Sequence, residues 1–188
     1  FAFEFVHYLY DVRSGTPPSR DVFRFAAFSI FFPSLVAGPI KRFEQFIPSL
    51  KEGVAKVNAQ DVMVGIVQVA FGYLKKVIAD NLTLLTLYLD TYQDRFADLL
   101  LDQRRFLFTA IAFRILLDFS GYSDIAIGLA RMIGVRLPPN FNWPYFATSI
   151  QNFWQRWHIS LSSWIRDYVY IPLGGSRHSR APVGFSMG

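Results

Sequence analysis

Apolar residues in this chain gather in segments of about a dozen, and no uninterrupted run reaches the roughly 18 that marks a simple membrane-crossing helix. Residues 22–40 carry Arg24 and are broken by Pro33 and by Gly38-Pro39, whereas 62–74 are clean but short. Residues 77–89 contain Asp80 and Asn81, 106–117 contain Arg114, and 125–135 contain Arg131. A helix over 106–117 extends about 18 Å, short of a hydrocarbon core of about 30 Å. Two architectures accommodate such a pattern. One is a soluble all-α protein with these segments as core helices. The other is an all-α polytopic transmembrane bundle whose helices are broken or re-entrant around a central wet tunnel, where irregular backbone and ionisable groups are tolerated.

Between the segments lie helix boundaries rather than strands. Thr16-Pro17-Pro18-Ser19 is a stop, with Ser19 or Asp21 as the following cap. Residues 51–60 suit a surface loop or short amphipathic helix, and 91–102, flanked and punctuated by aspartates, an aqueous excursion. Pro138-Pro139-Asn140-Phe141-Asn142-Trp143-Pro144 is an ordered loop, since its prolines forbid a regular helix.

Residues 149–168 predict a single helix. Trp154, Trp157, Leu161, Trp164 and Tyr168 follow at alternating steps of three and four, forming one apolar stripe. Gln155, His158 and Ser162 share an adjacent face. Thr148 with Gln151 forms a capping-box start, and Leu173-Gly174-Gly175 supplies the stop. A titratable strip beside a tryptophan wall suits a site of low dielectric. It equally suits an interfacial helix whose His158 meets a carbonyl or a lipid headgroup.

Composition favours the membrane. Apolar residues make up 52% of the 188, and the 20 phenylalanines exceed what one soluble core of this size needs. Mean hydropathy is +0.26. The net charge of +5 is spread singly through apolar segments, so it reads as basic loops at a membrane rather than a nucleic-acid surface. There is no cysteine, and His7, His158 and His178 show no metal-ligand spacing, so no metal site is expected. The chain starts without methionine and stops at Ser186-Met187-Gly188 as a new apolar segment opens, which suggests that residues 1–188 are part of a longer domain.

Polar clusters supply the candidate chemistry. Asp118-Phe119-Ser120-Gly121-Tyr122-Ser123-Asp124 interrupts the apolar pattern. Asp118 sits four residues from Arg114, a spacing for an internal ion pair, and Asp124 invites a cation such as Arg131. The same residues could line a cavity through which a substrate hydroxyl passes. Lys75-Lys76 reads as a helix-end anchor, and Lys41-Arg42 follows a helix break; either pair could meet phosphates of a lipid or an acyl donor. Arg177-His178-Ser179-Arg180 reads as a basic cytoplasmic loop. His158 would act as a general base toward an attacking hydroxyl. Ser162 lacks a discernible triad, which counts against serine-hydrolase chemistry.

Four motifs carry a family resemblance over nearly the whole chain: 31–42 (FFPSLVAGPIKR), 118–128 (DFSGYSDIAIG), 139–145 (PNFNWPY), and 153–161 (FWQRWHISL) followed by 164–168 (WIRDY). In this order they resemble the membrane-bound O-acyltransferases, in the branch that acetylates exported polysaccharides such as alginate. The D-alanyl transferases of teichoic acids are similar around Trp157-His158 but usually lack the Ser-Gly-Tyr-Ser-Asp form. The resemblance implies a multi-pass enzyme of the bacterial inner membrane in which an acyl group from a cytoplasmic thioester, acetyl-CoA or an acyl carrier, meets a polysaccharide hydroxyl in a central tunnel. It also implies periplasmic acetyltransferase partner proteins. His158 corresponds to one of two characteristic histidines, the other lying in a downstream motif that this chain does not reach. Asp118, Ser120, Tyr122, Asp124, Asn152, Trp154, Arg156, Trp157, Ser162, Arg166 and Asp167 are then expected along the substrate path, with Arg156, Asn152 or indole N–H groups facing an oxyanion. Lys41, Arg42, Lys75 and Lys76 are expected toward donor phosphates. Ionisable groups in broken helices are also a transporter signature, so a transporter or channel component stands as the alternative.

Overall fold

The computed structural model describes residues 2–35, 38–90 and 99–175, with no account of the side chains of 85–90. Among them there are helices and turns and no strand. The helices are α1 (Ala2–Arg13), α2 (Val22–Ser29), α3 (Phe43–Lys56), α4 (Ala59–Asp90), α5 (Leu101–Met132), α6 (Ile150–Trp154) and α7 (Ile159–Ile165), the last running into a π-helical turn over Arg166–Tyr170. Asp21 caps α2 as expected, its carboxylate accepting from the N–H groups of Phe23 and Arg24 at 3.0 and 3.2 Å. Within residues 22–40, α2 stops at Ser29 and Pro33 falls in a 3-10 turn, Phe32–Ser34. The aqueous excursion expected at 91–102 falls mostly outside the described residues, as does the basic loop at 177–180.

Two expectations about helix length are corrected. Residues 62–74 and 77–89 are not separate segments but parts of α4, which continues through Lys75-Lys76; lysine is a good helix former and no proline intervenes. These lysines therefore stand mid-helix rather than at a helix end. Residues 106–117 and 125–135 likewise join through Asp118–Asp124 into α5, which ends at Met132. Each helix has 32 residues, about 48 Å. Ala59–Leu84 and Leu101–Met132 are long and apolar enough to cross a membrane.

The pair is antiparallel, and small residues set its spacing. Gly65, Gly72 and Ala79 recur every seven residues on α4, opposite Gly121 and Gly128 on α5. A methyl group on Gly72 would lie 2.6 Å from the Gly121 carbonyl oxygen, and one on Gly128 would lie 2.7 Å from that of Gly65. The glycines let the two backbones touch, as small residues do between helices in lipid. Outward-facing Met63, Phe71, Leu74, Phe106, Phe108 and Phe113 remain exposed, a surface suited to hydrocarbon.

At the far end of α5, Phe28, Phe31 and Phe46 pack with Ala130, Val135 and Leu137. Gly134 (φ +84°) turns the chain out of α5 so close to α3 that a Cβ would sit 2.2 Å from the Gly53 oxygen. An enclosed central tunnel is not established by the described residues; the two concavities described below are open.

The single helix expected over 149–168 is also corrected. Ser149, not Thr148, caps its start, accepting from the Asn152 N–H at 3.1 Å. The helix then stops after Trp154, and His158 takes a left-handed conformation (φ 44°, ψ 56°) before α7. Tertiary bonds displace the helical ladder here. The Arg156 carbonyl accepts from the Asn142 N–H, and the Ile159 N–H donates to the Asn140 carbonyl, both at 2.9 Å. The ordered loop over 138–144, as expected from its prolines, thus captures the groups that would have continued the helix.

Candidate active site around His158

His158 sits where α5, the proline-flanked loop and the α6–α7 break converge. Its ring stands edge-on to Phe119 of α5, centroids 4.8 Å apart. Phe119 meets Phe141 at 5.0 Å, and Phe141 meets Trp157 at 5.1 Å. Trp157 also stacks on Phe153, and Tyr145 anchors the cluster by donating to the Ala112 carbonyl at 2.7 Å. His158 Nδ1 is buried and has no hydrogen-bond partner among the described residues. Burial holds the imidazole pKa below its ordinary value, so the ring is neutral at physiological pH and can accept a proton.

Beneath it lies a fully buried polar bracket. Asn140, 1% exposed, donates from Nδ2 to Ser123 Oγ at 3.2 Å, while its Oδ1 accepts from Ser160 Oγ at 2.6 Å and from the Ser160 N–H at 3.3 Å. Ser160 Oγ in turn accepts from the Ile40 N–H at 3.0 Å. Neither Asn140 nor Ser160 stood out in the sequence, because an isolated asparagine or serine carries no periodic signal. Their only hint was membership in the quoted motifs.

The other expected residues separate into distinct neighbourhoods. The tryptophans do not form one stripe: Trp154 is half exposed, Trp157 joins the rings beside His158, and buried Trp164 donates to the Phe3 carbonyl at 3.0 Å. Trp154, Ser162 and Arg166 line an open groove of about 610 Å3 together with Gln151, Gln155 and Tyr170. Ser162 Oγ donates to the Trp157 carbonyl. Arg156 donates to the Asn152 side-chain oxygen at 3.0 Å, so these two candidate oxyanion donors bond each other. Ser120 is buried in α5 and Tyr122 half-buried.

Across the α4–α5 seam, Asp118 pairs with Lys76, and Asp124 with Lys75 at 2.5 Å. Arg131 meets Asp61 at 3.4 Å instead of Asp124. That pair borders a second open cleft of about 410 Å3, which also holds Lys56 and Arg136. All four candidate phosphate cations thus face carboxylates. Lys41, 2% exposed, lies 2.8 and 2.9 Å from the two Glu4 oxygens and over the Phe28 ring at 4.9 Å. Burial lowers its pKa, against the opposing pull of Glu4.

Arg42 pairs with Asp167, whose carboxyl is held below the usual range chiefly by its hydrogen bond from Arg166 at 2.7 Å. Arg42 also lies over the Tyr168 ring, 5.5 Å from its centroid. Tyr168 donates to Asp11 at 3.1 Å; burial and the Asp11 charge push its pKa up to about 12. Fully buried His7 packs against the same ring at 5.5 Å. Among the described residues no cluster of metal-ligating side chains forms.

The profile of the MBOAT, membrane-bound O-acyltransferase family, matches residues 12–188. A probable alginate O-acetylase of Pseudomonas aeruginosa is 42% identical over 186 residues, covering 95% of this chain and 34% of that protein. A peptidoglycan O-acetyltransferase of Helicobacter pylori is 40% identical over 155 residues, covering 81% of this chain and 29% of that protein. A teichoic acid D-alanyltransferase of Bacillus subtilis is 30% identical over 175 residues, covering 90% of this chain and 43% of that protein. The chain therefore spans about a third of the length of the acetylating relatives. With its long glycine-seamed helix pair and the histidine lodged beside it, this chain belongs to the membrane-bound O-acyltransferase family.

Proposed function

We propose that this chain is part of a bacterial inner-membrane O-acetyltransferase that moves an acetyl group from a cytoplasmic thioester, acetyl-CoA or an acyl carrier, to a hydroxyl of an exported, alginate-like polysaccharide. The observation that carries the reading is the placement of His158: half-buried against Phe119, and held at a break between helices rather than on a helix face. The higher identity to acetylating relatives than to the D-alanylating one favours acetyl as the group moved.

His158 assists by accepting the acceptor hydroxyl's proton as its oxygen attacks the thioester carbonyl. The C–O bond forms, the C–S bond breaks, and the proton passes to the departing thiolate. The rings of Phe119, Phe141 and Trp157 keep water from the thioester. The groove with Trp154, Ser162 and Arg166 is the candidate acceptor seat, with Gln151, Gln155 and Tyr170 offering amide, hydroxyl and aromatic contacts to sugar. Donor phosphates would draw on the partly exposed Arg42, Lys75 and Lys76, whereas Lys41 is enclosed with Glu4. Periplasmic acetyltransferase partners would act on the exported side.

The test uses the full-length protein in membrane vesicles, supplied with labelled acetyl thioester and polysaccharide. His158→Ala should lower covalent labelling about 10²–10⁴-fold, the range for loss of an acid–base group, at unchanged membrane content. Undiminished labelling would remove His158 from the reaction. Passage of intact solute without covalent label would instead favour transport, a reading that draws on the Lys75–Asp124 and Lys76–Asp118 pairs.

A further inference from the structure

We propose that Asn140 is the positioning residue for His158, fixing the imidazole against α5 through its hold on the two residues that follow the histidine and on Ser123 of that helix. The inference rests on the assignment of His158 to the reaction, and goes beyond it by naming what holds the ring in place.

The two residues immediately following His158 are both held by Asn140. Its carbonyl accepts from Ile159 and its side-chain oxygen accepts twice from Ser160. Two residues before His158, the Arg156 carbonyl is taken by Asn142 of the same loop. The histidine is therefore clamped from both sides by a loop stiffened with prolines. Its left-handed backbone (φ 44°) is strained for a non-glycine residue and persists only when its surroundings impose it. The bracket supplies that imposition.

Asn140 also ties the clamp to the surface on which the ring rests. Its Nδ2 donates to Ser123, and the His158 ring stands on Phe119. These two α5 residues are four apart and share one helix face. A single helical turn thus carries both the ring's support and the anchor of its backbone. Ser160 has its hydroxyl proton engaged by Asn140 and its oxygen engaged by Ile40, so it acts as a strut rather than a nucleophile. Both acceptor positions of Asn140 Oδ1 are filled, leaving no role for that oxygen toward substrate.

The experiment compares Asn140→Ala, Ser123→Ala and His158→Ala in the full-length membrane protein, measuring kcat, donor KM, the pH–rate profile and membrane content. Ser123→Ala removes only the far end of the bracket and keeps the proposal testable should Asn140→Ala fail to fold. Expected is a fall in kcat of tenfold or more for Asn140→Ala and threefold or more for Ser123→Ala. Donor KM should stay within twofold, and the acid limb should move to higher pH as the loosened imidazole regains water. Wild-type kcat in Ser123→Ala with an inactive His158→Ala would overturn the positioning role alone. So would activity that falls only in proportion to folded protein, with an unmoved acid limb. An active His158→Ala would instead unseat the functional reading on which the proposal stands.

Discussion

His7 illustrates what a single side chain contributes here. Its Nδ1 lies 3.0 Å from the Phe3 carbonyl and so carries the proton, while Nε2 is buried without a hydrogen-bond partner among the described residues. Burial lowers its pKa below 6.5, with Lys41 and Arg42 acting in the same direction and the Phe3 bond and Asp11 opposing. The unfolded chain then takes up a proton before the folded one does. Stability is full above pH 6.5 and declines as pH falls through that value toward the folded pKa. Thermal unfolding in detergent should show a midpoint that drops between pH 7.5 and 5.5. His7→Leu should flatten this slope but not abolish it, because His158 shifts in the same direction; an unchanged slope would exclude His7 as a contributor. Nothing near His7 in sequence announces this burial, since the ring over it belongs to Tyr168. Asp21, by contrast, was legible as a cap because its partners lie two and three residues away.

Helices α4 and α5 show the same contrast between local and distant causes. Apolar segments were visible, yet their charges read as interruptions. Lys75 and Lys76 on one helix are answered by Asp124 and Asp118 on the other, a pairing that no single-segment pattern contains. The tryptophan-bearing segment failed in the opposite sense: its three–four periodicity was real, but loop groups around Asn140 and Asn142 outcompeted the helical bonds. The glycine seam yields a direct test. Gly72→Leu would drive a side chain into the Gly121 backbone and should destabilise the pair by at least the ~1–3 kcal/mol typical of overpacking. Gly72→Ala should cost less, and exposed Ile66→Ala should cost little. Unfolding of the detergent-solubilised protein, followed by tryptophan fluorescence, would rank them; equal midpoints would show that the seam is not a close contact.

For the molecule as a whole, exposed apolar side chains on α4 and α5 and their cross-helix ion pairs describe a hairpin greasy outside and charged along its seam. Lys75→Asp should lower the yield of carbonate-resistant membrane protein, and adding Asp124→Lys should recover part of it. Failure of the double substitution to recover any would deny the pair a role in assembly. The helical class and the family motifs were readable along the chain. Which motif meets which was not, because the meetings join separate segments, from Ser123 and Asn140, 17 positions apart, to Arg42 and Asp167, 125 apart.

One such meeting has a temporal consequence. The Trp164 indole binds the Phe3 carbonyl 161 positions away, and Tyr168 reaches Asp11 across 157. A ribosome adding about 5–20 residues per second needs roughly 10–30 s to deliver those partners after α1 emerges. Throughout that interval the Phe3 carbonyl and the Asp11 carboxylate of α1 must wait without their Trp164 and Tyr168 partners, a window in which a chaperone or insertase has its opportunity to hold it.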